Sequence, residues 1–198
     1  MSATLGRAVG VIAVTLVMSG LAVRPVVAEP QAQQPANSDA RVIADFMTRV
    51  DAYTAIHLEA ERAAPKLARE ATPQQIDQTQ RAMAARILAA RAGAKRGDIF
   101  TPEMTTLVKR VLIDVLSGSG GSRRRSSIMD DNVKFIPLKA NQRYPDDVPL
   151  TTMPPGLLKA LPELPEEMEY RFVGAQLILF DQHAHIIPDF IPDALPGK

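Results

Sequence analysis

Close to its carboxyl end, the chain carries one acidic residue and two histidines at alternate positions, in Asp181-Gln182-His183-Ala184-His185. In an extended segment, residues two apart lie on the same side, so Asp181, His183 and His185 would face one way. Imidazole and carboxylate groups are good ligands for zinc and other late transition metals. The pattern therefore predicts a metal site made of these three side chains. The alternative is a polar turn and a short strand, with one histidine packed against helices.

The third histidine, His57, closes the apolar face of a predicted helix and has Glu61 one turn later. Carboxylate-bridged dimetal bundles place a glutamate three residues before each histidine ligand. Thr54 stands at that position here. We therefore expect His57 to be a packed or boundary histidine rather than a ligand.

Other catalytic patterns are missing from the sequence. There is no cysteine and no Gly-x-Ser-x-Gly nucleophile motif. The glycine- and serine-rich stretch of residues 117–127 lacks the Lys-Ser/Thr ending of a phosphate-binding loop. We therefore expect a protein that is not an enzyme, with no cofactor other than a divalent transition metal at Asp181, His183 and His185.

Three amphipathic helices are predicted within a helical domain over residues 38–116, and capping signals mark their ends. Threonine-proline pairs open the second and third helices, since threonine caps a helix and proline suits its first position. Proline or glycine ends each helix. The predicted starts are Ser38, Thr72 and Thr101, and the predicted ends lie near Pro65, Gly93 and Gly118.

Beyond these helices the composition changes. Residues 117–127 are rich in Gly, Ser and Arg and predict a flexible linker. The remainder, 128–198, is proline-rich, and a glycine turn between two β-type runs predicts a hairpin. Its predicted elements are a brief strand at 133–138, helical turns at 154–161, a hairpin of 168–173 with 176–180, and a third strand near 185–187. The fold class predicted is α+β: an N-terminal helical bundle or hairpin, then a proline-rich segment and a small antiparallel β-meander packed on the helices.

The amino terminus resembles a cleavable export signal. Arg7 precedes an apolar run over residues 9–23, and Val26 and Ala28 are small residues suited to signal peptidase. The run has about fifteen residues, fewer than the roughly twenty that span a bilayer. We predict a signal peptide over 1–28, a disordered tail over 29–37, no stable membrane span after cleavage, and a periplasmic or secreted location.

Charge is unevenly distributed along the chain. Residues 79–128 hold ten basic and three acidic residues, whereas residues 129–198 hold six basic and eleven acidic ones. We predict that an envelope protein or an anionic surface binds this cationic segment. Nucleic acid is not expected, because no aromatic residues interleave with the cations. The alternative is intramolecular charge complementarity or a solvated face. The predicted surface residues are Arg81, Arg86, Arg91, Lys95 and Arg96.

Three segments carry a family resemblance: Ala71-Thr72-Pro73-Gln74-Gln75-Ile76-Asp77, Gly97-Asp98-Ile99-Phe100-Thr101-Pro102, and Glu169-Tyr170-Arg171-Phe172-Val173-Gly174 leading into 181–190. In these the chain resembles an uncharacterised family of exported bacterial proteins. The resemblance implies an envelope or secreted location and brings no activity with it. The function expected is that of a non-enzymatic binding module of the cell envelope. The alternatives are a metal-binding or metal-dependent periplasmic protein and a helical periplasmic chaperone.

Overall fold

The computed structural model describes residues 33–130 and 136–195, so the predicted signal of residues 1–28 lies outside the described part. The α+β class is confirmed: helices come first and a five-stranded antiparallel sheet follows. The helices are α1 (Gln33–Ala63), α2 (Pro73–Ala90), α3 (Pro102–Ser117), α4 (Gly121–Asp130) and α5 (Pro155–Leu158). The strands are β1 (Gln142–Arg143), β2 (Met168–Val173), β3 (Gln176–Asp181), β4 (Ile186–Ile187) and β5 (Phe190–Ile191). None of the described helices is long and apolar enough to cross a membrane.

Helix α1 begins earlier than the sequence predicts. It starts at Gln33, so the part of the predicted disordered tail from Gln33 to Asn37 is helical, and residues 29–32 lie outside the described part. Pro35 falls in the first turn, where a missing N–H leaves no intrahelical bond broken. Asp39, in the second turn, forms an ion pair with Arg110 of α3. The helix ends at Ala63, two residues before Pro65, as predicted.

Local capping signals locate α2 and α3 correctly. The Thr72 hydroxyl accepts the Gln75 N–H at 3.3 Å, and the Gln75 side chain accepts the Thr72 N–H at 2.8 Å. This reciprocal pair is a capping box, which satisfies two backbone donors at the start of α2. The Thr101 hydroxyl accepts the Met104 N–H at 3.3 Å and caps α3 without a reciprocal side-chain bond.

The predicted flexible linker over 117–127 is wrong for most of its length, since residues 121–127 belong to α4. Arg124 explains the difference. Its guanidinium Nη2 donates to the carbonyl oxygens of Val115 at 2.8 Å and Ser119 at 3.0 Å. It therefore binds carbonyl groups at and just beyond the end of α3, which composition alone does not reveal.

A close contact at the α3–α4 corner explains why glycine opens α4. A methyl group added to Gly121 would lie 1.9 Å from the Leu116 carbonyl oxygen, so the backbone would have to move. We expect Gly121→Ala to lower the free energy of unfolding by about 1–3 kcal/mol, the usual cost of overpacking. Chemical denaturation measures this. Gly93→Ala is the matched control, because no described residue other than its chain neighbours comes within 4 Å of the added carbon. Equal stability of the two variants would contradict the close approach.

The predicted hairpin and third strand are confirmed. Strands β2 and β3 pair from Met168 opposite Asp181 to Val173 opposite Gln176, around a turn whose Gly174 has φ +61°. Strand β4 supplies the predicted third strand, and β1 and β5 extend the sheet in the order β1-β4-β3-β2, with β5 also on β3. The strand predicted at 133–138 is wrong for residues 136–138, which are irregular, and residues 133–135 lie outside the described part.

Helices and sheet share one core, as predicted for a meander packed on helices. Buried side chains of α1, α2 and α3, among them Phe46, Ile87 and Leu112, belong to the same cluster as Tyr170 and Leu179 of the sheet. A smaller cluster packs against the other sheet face. It consists of Tyr144, Val173, Ile178, Phe180, Ile187 and Phe190.

Asp189 ties the loop between α2 and α3 to the sheet. This carboxylate is fully buried and lies between β4 and β5. It accepts backbone N–H groups from Gly97 at 3.0 Å, Ile99 at 2.9 Å and Phe100 at 2.8 Å. Those donors come from a loop about 90 residues earlier in the chain, so the hydrogen bonds hold the helical layer in place on the sheet.

Candidate metal centre

Asp181, the last residue of β3, is fully buried and bridges helix α1 to the turn that follows the strand. Its Oδ2 lies 2.7 Å from Nδ1 of His57 and accepts the Tyr53 hydroxyl at 2.6 Å. Its Oδ1 accepts the backbone N–H groups of His183 at 3.1 Å and Ala184 at 2.8 Å. Four hydrogen-bond partners therefore surround one carboxylate. The same side chain orients His57 and shapes the turn that carries His183.

The segment after Asp181 is a turn and not an extended strand, which overturns the geometry on which the sequence prediction rested. His185 adopts a left-handed backbone with φ +51°. Its ring lies 5.5 Å from that of Phe180, whereas the His183 ring lies 5.4 Å from that of His57. The predicted ligand set of Asp181, His183 and His185 is therefore corrected: Asp181 is committed to buried hydrogen bonds, and the two histidines contact different rings.

A different group converges instead. His57, Glu61 and His183 each offer one ligand atom, and these atoms all lie within 4.8 Å of one another. His57 and Glu61 are four residues apart on α1, so they share one helix face. Nδ1 of His183 lies 3.8 Å from Oε1 of Glu61. The side chains of His183 and Glu61 are 49% and 48% exposed, whereas that of His57 is fully buried. The group thus has a fixed inner member and two adjustable outer members.

Nε2 of His57 is buried and has no hydrogen-bond partner among the described residues. Because an unsatisfied buried polar atom is costly, such an atom requires an explanation. Burial disfavours the imidazolium form, but the hydrogen bond and charge of Asp181 outweigh it and raise the pKa of His57 above its ordinary value. In the neutral ring, Nδ1–H donates to Asp181 and the lone pair remains on Nε2. A carboxylate behind a histidine is the usual support of a metal-binding imidazole.

Tyr53 is the other side chain that holds the Asp181 carboxylate in place beside His57. Burial, together with the negative charge of Asp181, raises the pKa of Tyr53 well above its ordinary value, so the phenol stays protonated and donates. The guanidinium of Arg91 lies 5.1 Å from the centre of the Tyr53 ring and donates to the Pro188 carbonyl at 3.2 Å. Arg91 therefore packs α2 onto this network.

The tyrosines give a test of the buried network by pH. Burial is the first cause of a raised pKa at Tyr53, Tyr144 and Tyr170, the three tyrosines of the chain. An unfolded tyrosine ionises near pH 10. Because the pKa values of these tyrosines are higher in the folded state, their contribution to the free energy of unfolding is constant below pH 10. Protein stability should fall as the pH rises above 10. We expect no tyrosinate absorbance at 295 nm near pH 10 while circular dichroism shows the native fold. One tyrosine titrating there in the folded protein would contradict this.

The five predicted surface cations do not form one uniform patch. Arg81 forms ion pairs with Asp77 and Asp146, and Arg91 is the network residue described above. Arg96 lies over the Phe190 ring at 5.8 Å. Arg86 and Lys95 are exposed, as is Arg96. Docking of an envelope protein or anionic surface stays a prediction, and it depends on these last three cations.

His57 and Glu61 are the site residues that the sequence analysis missed as ligands. The available signal was their four-residue spacing, which places two side chains on one helix face as in helical zinc motifs. Only their proximity to His183 makes that spacing meaningful. The partner is more than 120 residues away in the chain, and no local pattern points to it.

Known proteins add nothing to this arrangement. No family model matches the chain, and no curated protein or solved structure shows significant similarity to it. The resemblance to exported bacterial proteins accordingly stays a prediction.

Proposed function

We propose that the chain is an exported zinc-binding protein whose ligands are His57, Glu61 and His183. The observation that carries the proposal is the buried, unpaired Nε2 of His57, because its other ring nitrogen is already held by Asp181. A bound cation would satisfy Nε2 and would be held by the neighbouring carboxylate and imidazole.

Zinc suits this donor set. Two imidazoles and one carboxylate are a known three-ligand zinc set, which leaves the fourth position to water or a bound molecule. Copper and nickel would also bind imidazole, so the proposal concerns the divalent late transition metals, with zinc as the member tested. In the exported location that residues 1–28 predict, zinc has the further advantage that it undergoes no redox chemistry.

The distances require a small adjustment on binding. Ligand bonds of about 2.0–2.1 Å around a tetrahedral ion place donor atoms roughly 3.3–3.5 Å apart, closer than the 4.8 Å span of this group. Glu61 and His183 are half-exposed and can rotate toward the ion. His57 is held by Asp181 and supplies the fixed reference.

Calorimetric titration with zinc tests the proposal. We expect one ion per chain, and we expect His183→Ala, which removes a direct ligand, to weaken binding by at least the 10–100-fold that loss of a residue supporting a ligand costs. His183→Ala removes a half-exposed ring and should leave the fold intact. His185→Ala is the matched control and should bind as the unaltered protein does. Undiminished binding by His183→Ala, or equal losses in both variants, would overturn the ligand assignment.

A further inference from the structure

The candidate zinc site borders a cleft of about 590 Å³. This volume is within the usual range for sites that take small molecules. Glu61 and His183 form part of its wall, so the coordination position that the protein leaves open would face this space. The remaining lining comes from the end of α1, the loop after it, the first two thirds of α2 and the turn after β3.

Part of the cleft wall is apolar. Leu67 and Ile76 are 46% and 41% exposed, and both line the cleft together with the buried Met83. They come from two successive elements, the loop after α1 and the first turn of α2. Large apolar side chains grouped in a concavity mark a binding surface more than isolated exposed ones do. The alkyl part of a ligand would cover them.

Other groups that line the cleft favour an anion. A zinc ion with two neutral imidazoles and one carboxylate keeps a formal charge of about +1. Lys66 and Arg62 add positive side chains along the same cleft, although Arg62 also pairs with Glu59. A carboxylate is a good zinc ligand and has the complementary charge. The cleft thus combines groups that attract an anion with apolar side chains.

We propose that this cleft binds a monocarboxylate with a medium-length apolar chain. Its carboxylate would complete the coordination of the zinc ion at His57, Glu61 and His183. Its chain would lie on Leu67, Ile76 and Met83. The inference rests on the proposed zinc site and adds the chemical class of its ligand.

Competition between carboxylates of different length provides the test. The zinc-loaded full chain is titrated with acetate, hexanoate, octanoate and decanoate, all below their micelle concentrations. Burying each methylene is worth up to about fourfold in affinity, so each two-carbon extension should strengthen binding about tenfold. Octylamine should bind at least tenfold more weakly than octanoate, and removing zinc with a chelator should weaken octanoate binding by at least tenfold.

Two matched variants test where the alkyl chain of the ligand lies. Ile76→Gln should weaken octanoate binding by about tenfold and leave both acetate and zinc binding unchanged. The control is Ile113→Gln, at an isoleucine on α3 that is 46% exposed and outside the cleft. It should leave the binding of octanoate, acetate and zinc unchanged. If the protein binds zinc but its affinity for the carboxylates does not rise with the length of their alkyl chains, the ligand inference is wrong and the zinc site stands. Failure of the protein to bind zinc would overturn the proposed function, and chain-length-dependent binding that persists without zinc would overturn the role of the ion.

Discussion

Asp181→Asn is expected to weaken zinc binding by about 10–100-fold while the protein keeps its fold. The amide has the same shape, and its oxygen can still accept the N–H groups of His183 and Ala184. Its NH₂ group, however, would face the Tyr53 hydroxyl and Nδ1 of His57, which both donate to the carboxylate in the unaltered protein. His57 would respond by moving its proton to Nε2, so that Nδ1 accepts. The lone pair needed for the metal would then be lost.

Two measurements separate this effect from simple loss of charge. Zinc affinity is compared between Asp181→Asn and Asp147→Asn, which neutralises an exposed carboxylate. Nitrogen NMR of the metal-free proteins reports which ring nitrogen of His57 carries the proton. We expect Asp147→Asn to match the unaltered protein in both. Asp181→Asn with unchanged zinc affinity would show that the carboxylate does not position the ligand.

The largest loss of stability is expected for Asp189→Ala, about 3–5 kcal/mol of the free energy of unfolding. Its carboxylate is the acceptor for the backbone N–H groups of Gly97, Ile99 and Phe100, and the last two donors are buried. Each buried donor left without a partner costs about 1–3 kcal/mol, so the two buried donors together account for a loss of this size. Because Asp189 joins the α2–α3 loop to the sheet, the loss should affect the whole domain.

Urea denaturation followed by circular dichroism measures this loss. Asp147→Ala removes an exposed carboxylate and is expected to change stability by less than about 0.5 kcal/mol. If Asp189→Ala were no less stable than Asp147→Ala, the three hydrogen bonds would not be what holds the loop. Asp189 lies outside the candidate ligand group, so this prediction is independent of zinc.

Features set by neighbouring residues were predictable from the sequence. The Thr72 and Thr101 caps depend on donors three residues away, and the β2–β3 hairpin depends on the two-residue turn at Gly174. Local sequence is enough to determine caps and tight turns of this kind. The helix starts of α2 and α3 and the hairpin register follow from it.

Features that depend on residues far apart in the chain could not be predicted from the sequence. The predicted linker became α4 in part because Arg124 reaches back to carbonyl groups at the end of α3. His57 is buried on the apolar face of α1, as its position predicted. Its role depends on Asp181, 124 residues later, which no spacing rule connects to it. The group of His57, Glu61 and His183 therefore depends on the packing of the turn after β3 against α1, which local sequence patterns do not specify.

The central claim is that Nε2 of His57 binds a metal ion together with Glu61 and His183. A crystal structure of the zinc-loaded protein, with anomalous diffraction recorded at the zinc edge, tests it most directly. We predict one anomalous peak about 2.0–2.1 Å from Nε2 of His57, with Glu61 and His183 as the other protein ligands and Asp181 still on Nδ1. A zinc ion bound at His185, or one that leaves Nε2 of His57 without a ligand bond, would contradict the account.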